Sequence, residues 1–348
     1  MSYPTEFNQI LFVELLGGLG DVLIALPAIT ALANSHPQAK LTVLTFVPGS
    51  HLLQHHPQID QVIEVKQGEA RQAVAQVLKP RSFDLIVSDT NYDGIAEAIQ
   101  NSDAKRTITN LWRNPPDDQR VGDRFLSILL EEGLITPDTI RPEQPLIHLT
   151  PLERESAHQS LGATYRPLIL LCPDAGMSVK RWSTSNFVQL GQALQQRYGG
   201  TILVPVGADQ QQAEQVVEGI GRTARVWQRG SLRQLAAVMA EADLVIAADT
   251  GPARIAAALN ISTVTLFGPS WHGRYGQPFP HINLQGYPEC PERIIQNFTE
   301  QRCWYSGCPF DQWDSCMQAI TPSEVLAAVE RIEGMRRWGG GEVGGVGE

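Results

Sequence analysis

Gly17-Gly18-Leu19-Gly20-Asp21 sets three glycines and a carboxylate where an apolar run, Ile10–Leu15, gives way to helix-like spacing from Asp21 to Ala33. Glycine at a strand-to-helix turn lets another molecule approach the backbone, and the first N–H groups of the helix lack intrahelical partners. Gly18 and Gly20 are therefore candidates for a phosphate-facing turn. Asp21 reads either as a helix cap or as a general base. A dinucleotide fingerprint needs Gly or Ala where this chain has Leu23, and no Tyr-x-x-x-Lys pair occurs, which disfavours a nicotinamide-dependent oxidoreductase or epimerase. A Walker A loop is missing too, since Gly-Lys-Ser/Thr occurs nowhere in the chain.

The second half carries three more polar groups at expected strand ends. Lys180 and Arg181 lie in the loop after Pro167–Cys172 and suit either a phosphorylated ligand or water. Asp209 follows Val206-Gly207-Ala208 and reads equally as a ribose-binding acid or as a helix cap. Asp249-Thr250-Gly251-Pro252-Ala253-Arg254 joins a strand to an Ala-rich helix. The amides of Thr250, Gly251 and Ala253, with the helix dipole behind them, make a candidate pyrophosphate seat, and Pro252 loses nothing there because first-turn N–H groups are unpaired anyway.

Two repeated strand–helix series must position these groups. Strands are expected at Ile10–Leu15, Leu41–Phe46, Gln61–Val65 and Phe83–Val87, then at Pro167–Cys172, Thr201–Val206, Ala224–Trp227, Asp243–Ala247 and Thr263–Phe267. Short apolar runs without clean alternation fit strands buried on both faces of a parallel sheet. The pattern loosens between them, where four prolines fall from Pro137 to Pro151. The expected organisation is two α/β domains with doubly wound parallel sheets, at 1–155 and 156–335, facing across a ligand cleft, with a flexible Gly-rich tail at 336–348. The 348 residues carry a net charge of −10 with 43% hydrophobic residues, which fits large cores and disfavours nucleic acid as a partner. No basic segment precedes the first apolar run and no run approaches a membrane span, so a cytoplasmic protein is expected.

In this order the motifs resemble glycosyltransferase family 9, the family of the lipopolysaccharide heptosyltransferases. Leu19–Ala28, Lys180-Arg181-Trp182, Asp249-Thr250-Gly251 with its Ala-rich helix, Leu266–Pro269 and Cys303–Cys316 leading into Ile320-Thr321-Pro322 carry the resemblance, which spans Ile10 to about Ile332. It implies a GT-B architecture of two Rossmann-like domains. It also implies inverting transfer of a sugar, ADP-heptose being the typical donor, to a hydroxyl of a lipid-linked saccharide at the membrane surface. By the resemblance Asp21 is the base, Lys180 neutralises the donor phosphates, Asp209 binds ribose, and Asp249, Thr250 and Gly251 form the donor-binding strand end. Asp209 stands where the heptosyltransferases carry Glu, and Arg254 where they carry His. No metal and no cofactor beyond the nucleotide-sugar are implied, and the Asp-x-Asp triplet of metal-dependent glycosyltransferases does not occur. A catalytically silent nucleotide-sugar binder is the alternative from another class.

Other clusters carry less. Arg106, Arg113 and Arg120, with Lys105 and Arg124, form a basic stretch in the expected acceptor half, but Asp117, Asp118 and Asp123 interleave, so a solvated face fits equally. Cys290, Cys303, Cys308 and Cys316 lack the tight pairs of a zinc site, and free thiols are expected. His51 and His55 are a poor metal pair, and Trp271, Trp304 and Trp313 are expected to pack rather than to stack on sugars.

Overall fold

The structure is a computed structural model that describes residues 7–79, 82–111, 119–221, 223–228, 230–293, 308 and 315–332. The chain divides into two compact units, Met1–Thr150 and Pro151–Glu348. Arg113, Cys303, Trp304, Trp313 and the tail at 336–348 lie outside the described residues.

The first unit runs β1 (Gln9–Glu14), α1 (Leu19–Ser35), β2 (Lys40–Phe46), β3 (Gln61–Val65), α2 (Ala70–Leu78), β4 (Leu85–Ser88), α3 (Ile95–Gln100), β5 (Arg106–Ile108) and α4 (Val121–Glu131). Its five strands pair in the order β3-β2-β1-β4-β5, all parallel. The central strand β1 is wholly buried from Ile10 to Glu14, as two-sided cover demands. Leu11 and Val13 pack toward α2 and α3 with Leu44, Val74 and Ile99. On α1, nine side chains from Val22 to Ala33 are buried, because the helix packs on both β1 and α4.

The second unit runs α5 (Pro151–Leu161), β6 (Leu168–Cys172), α6 (Thr184–Tyr198), β7 (Thr201–Pro205), α7 (Gln210–Ile220), β8 (Ala224–Trp227), α8 (Leu232–Met239) and β9 (Leu244–Ala248). It continues through α9 (Gly251–Ala258), β10 (Thr263–Phe267), α10 (His272–Tyr275), β11 (Ile282–Gln285), α11 (Ser315–Gln318) and α12 (Pro322–Arg331). The sheet order is β11-β10-β9-β6-β7-β8, again all parallel. Both sheets therefore reverse their winding once, between β1 and β4 and between β6 and β9.

Close backbone approach fixes where these strands start. Gly200, between α6 and β7, has φ +76°, and a Cβ there would lie 2.1 Å from the Pro167 carbonyl oxygen, just before β6. Gly200→Ala combines backbone strain with a clash against main chain, so it is expected to cost on the order of 2–4 kcal/mol. Urea unfolding followed by circular dichroism measures this as a fall in midpoint at unchanged slope, and an unshifted midpoint would contradict it.

Candidate active site

In the first unit the site residues gather at the carboxyl ends of β1 and β4. Asp21 is the third residue of α1, and its Oδ2 accepts the Gly18 amide at 2.8 Å. The helix cap read from the sequence is thus real. Gly17 makes room for it, since a Cβ there would meet Asp21 Oδ2 at 2.6 Å. Gly18, extended at φ −104°, is the N-cap of α1, and Gly20 lies in its first turn. Beneath this turn sit two acids that pattern reasoning passed over, Glu14 at the end of β1 and Asp89 just after β4, each 1% exposed. Burial pushes the Glu14 carboxyl up to about 8, the bond from Thr45 opposes it, and the charge of Asp21 adds to it. Burial and then Glu14 push Asp89 up as well. The sequence signal was available: a glutamate inside the apolar run Phe12-Val13-Glu14-Leu15.

The described cations of the basic stretch, all but Arg113, are paired within the unit. Lys105 meets Asp84 at 2.7 Å, Arg106 meets Glu132 at 3.0 Å, Arg120 meets Asp123 at 2.7 Å, and Arg124 meets Glu131 at 3.7 Å. His51 lies 3.6 Å from Glu64, and the buried ring of His56 packs edge-on against His148. Burial, and then His148, depress the pKa of His56 to about 4, so it is neutral at pH 7. Among the described residues no three His, Cys, Asp or Glu side chains form a metal-binding group.

In the second unit the sequence-selected residues follow the carboxyl ends of three adjacent strands, β9-β6-β7. Lys180 and Arg181 do not act as a pair. Trp182, 1% exposed, donates its Nε1–H to the Ile320 carbonyl at 2.8 Å and packs edge-on against Phe187. This anchor holds the short turn Ser178–Lys180 so that Lys180 Nζ reaches Asp249 Oδ2 at 3.0 Å. Arg181 turns instead to Asp174 at 3.3 Å and the Ala175 carbonyl at 3.1 Å. Asp174 also accepts the Ala208 amide, tying the loop after β6 to the loop after β7. Gly207 permits this approach, since a Cβ there would lie 2.1 Å from Asp174 Oδ2. Asp209 is exposed and caps α7 through the Gln212 amide at 3.1 Å.

Asp249 is the hub. Its Oδ1 accepts from Arg254 Nη2 at 2.8 Å while Oδ2 accepts from Lys180, and Arg254 also donates to the Tyr275 carbonyl at 3.0 Å. Burial alone would raise this carboxyl, but Lys180 and then Arg254 outweigh it and hold it at about 2. Thr250 caps α9 in extended backbone, and Gly251 is its first residue. Ala253, Ala256, Ala257 and Ala258 are buried and let α9 lie close to the sheet. The amides of the first turn are thereby left beside two cations and one carboxylate, a net positive seat suited to a diphosphate. Trp271, half-buried, meets the neighbouring His272 ring edge-on at 4.6 Å. Cys172 and Cys290 are free thiols.

A family model described as glycosyltransferase family 9 (heptosyltransferase) matches residues 138–302. The chain is 25% identical over 347 residues to lipopolysaccharide heptosyltransferase 3 of Escherichia coli, covering 90% of this chain and 96% of that protein. Among solved structures, a glycosyl transferase family 9 protein from Veillonella parvula aligns with a TM-score of 0.74 at 21% identity, over 95% of this chain and 99% of its own. The E. coli ADP-heptose lps heptosyltransferase II aligns with a TM-score of 0.67 at 18% identity, over 93% and 98%. The shared fold is the GT-B fold expected from the motifs.

Asp249 generates a pH prediction. Its folded pKa, about 2, lies below the ordinary 3.8, so its contribution to stability is present above about pH 4 and is lost as pH falls toward 2. Asp249→Asn removes the anion from buried Arg254 and half-buried Lys180 and is expected to cost about 2–4 kcal/mol at neutral pH. It is also expected to flatten the loss of stability in that acid window. Thermal unfolding across the window tests both statements, and an acid limb as steep as that of the wild type would refute the second.

Proposed function

We propose that the chain is a member of glycosyltransferase family 9, whose model matches residues 138–302, and that it moves a heptose, with inversion, from an ADP-linked donor to a hydroxyl of a lipopolysaccharide-type acceptor. The observation that carries the donor half is the Lys180–Asp249–Arg254 cluster at the amino end of α9. As the anomeric C–O bond breaks, the leaving diphosphate gains charge. Lys180 and the amides of Gly251 and Ala253 offset that charge in place, with little reorganisation. Asp249 acts by holding Lys180 and Arg254 charged and aimed. Arg254, whose side chain is only 9% exposed, takes the place of the family's His as a permanently charged partner of Asp249. Asp209, exposed at the start of α7, is the proposed acceptor of ribose hydrogen bonds.

Asp21 takes the proton of the attacking hydroxyl while the new C–O bond forms. The Gly18 amide and the helix end favour its anion, so proton transfer comes late, when the hydroxyl has become acidic. In the acceptor half, Arg106 and Arg120 would bind phosphates or carboxylates only by exchanging Glu132 and Asp123 for them. Arg113 belongs to the same proposal. No metal enters this scheme; the charge that a metal would offset falls to Lys180 and the helix end. Among the described residues no helix is long and apolar enough to cross a membrane, and a cytoplasmic enzyme that meets its acceptor at the membrane surface is the setting we propose.

Calorimetric titration with ADP, UDP, GDP and NAD tests the donor site first. ADP is expected to bind at micromolar concentration, and Lys180→Ala to weaken it by at least about tenfold, some 1.4 kcal/mol. Asp21→Asn is expected to keep ADP binding and to lose about 10²–10⁴-fold in kcat. Preference for UDP or GDP would replace the donor while keeping the reaction class, and binding of NAD alone would end the proposal.

A further inference from the structure

Asp21 does not sit alone. β1 pairs with β2 at Glu14↔Thr45 and with β4 at Val13↔Ser88, so the next step of the second register sets Glu14 beside Asp89. Residues abreast on neighbouring strands project to one face. Thr45, Glu14 and Asp89 thus form a row at the carboxyl edge of the sheet, and Glu64, opposite Thr45 on β3, continues it toward solvent. Thr45 Oγ1 donates to Glu14 Oε2 at 2.5 Å, and the Leu16 amide lies 3.3 Å from Oε1. Asp89 Oδ1 accepts the Thr90 hydroxyl at 2.8 Å, whereas Oδ2 is buried with no hydrogen-bond partner. Other titratable groups around the row are Asp21 on α1, His51 beside Glu64, Tyr92, whose hydroxyl donates to the Leu15 carbonyl at 2.6 Å, and Asp93, which is 3.8 Å from Arg71.

Two carboxyl groups abreast and out of water cannot both ionise near neutrality, because like charge and lost hydration each favour the acid form. We infer that Glu14 and Asp89 are positioning residues for Asp21, keeping at least one proton behind it at neutral pH and strengthening it as a base when that proton leaves. The inference rests on Asp21 being the base of the proposed transfer. The interaction between ionisable groups is mutual: if the charge of Asp21 makes Glu14 harder to ionise, the anion of Glu14 makes Asp21 a stronger base by the same amount. Burial, resisted by the Thr45 bond and reinforced by Asp21, sets the Glu14 step at about 8. Above it, the base that receives the hydroxyl proton faces a second negative charge.

The test reads the coupling directly. Full-length protein labelled with ¹³C at its carboxyl carbons is titrated through the neutral and alkaline range, with Glu14→Gln identifying the Glu14 signal. In the wild type that signal is expected to move near pH 8, and in Asp21→Asn at lower pH. Thr45→Val, which removes the opposing bond, is expected to move it to higher pH and serves if Glu14→Gln does not fold. In turnover, kcat is expected to rise through the same step in the wild type and to lack the rise in Glu14→Gln. A Glu14 carboxyl that titrates in the ordinary acid range, or a midpoint unmoved by Asp21→Asn, overturns the inference whether or not the enzyme turns over. Full activity of Asp21→Asn with the coupled titration intact overturns instead the assignment of Asp21 as base, and the positioning role with it.

Discussion

A parallel sheet that is covered on both faces leaves its chemistry a single outlet. Its strands are apolar along their length, its helices seal the faces, and polar groups collect where strands end and connections begin. Where the winding reverses, the connections on either side leave toward opposite faces, and the carboxyl edge of that gap stays open. In this chain the gaps lie between β1 and β4 and between β6 and β9. Glu14, Asp89 and the start of α1 occupy the first, and Lys180, Asp249 and the start of α9 occupy the second. The topology thus allots one reactive edge to each unit, and side-chain identity decides what each edge can do.

The two edges solve opposite electrostatic problems. In the second unit Asp249 is fully buried, yet it ionises because Lys180 and Arg254 each contact one of its oxygens. Two cations against one anion leave an excess of positive charge next to unpaired helix amides, which matches an anionic ligand. In the first unit Glu14, Asp21 and Asp89 act on one another with the same sign, and hydroxyl donors from Thr45 and Thr90 meet the two buried acids instead of cations. Hydrogen bonds of this kind steady a carboxyl group without forcing it to ionise, and protons remain there. The edge of the second unit thus favours an anionic ligand, while the buried acids of the first unit hold their protons more tightly than exposed carboxyl groups do.

The central strands were legible in the sequence because two-sided burial writes an unbroken apolar run. Thr263–Phe267, buried in the interior of its sheet, appears in the structure with the bounds that the pattern suggested, and so do the edge strands Gln61–Val65 and Ala224–Trp227, whose Val, Ile and Trp residues still mark them. β5 and β11 were not legible. Both are edge strands, Arg106–Ile108 with three residues and Ile282–Gln285 half-buried along its length, so neither needs a run of apolar side chains. The helix α4 hid in the stretch where cations and acids interleave, since its apolar side is visible only once α1 is there to receive it. The cations of that stretch invited a ligand for a related reason. Lys105 finds Asp84 and Arg106 finds Glu132 across intervals of sequence that no local pattern spans.

Lys180-Arg181-Trp182 shows why a motif can be correct in its residues and incomplete in its physics. Read along the chain, it is two neighbouring cations and an aromatic. In the fold the Trp182 indole is buried in the core and bonded to Ile320, and that anchor sends the two side chains to different carboxylates. Arg181 joins the loops after β6 and β7 through Asp174, while Lys180 alone reaches Asp249. Arg254 completes the arrangement from the other side. A His at that position would be charged only in part near neutral pH, so its hold on Asp249 would weaken as pH rises. A guanidinium stays charged throughout and divides its donors between the Asp249 carboxylate and the Tyr275 carbonyl. With Arg254 in this position, the Asp249 anion is held from two sides by side chains that are cations rather than imidazoles, and the positive character of the α9 start follows from their number.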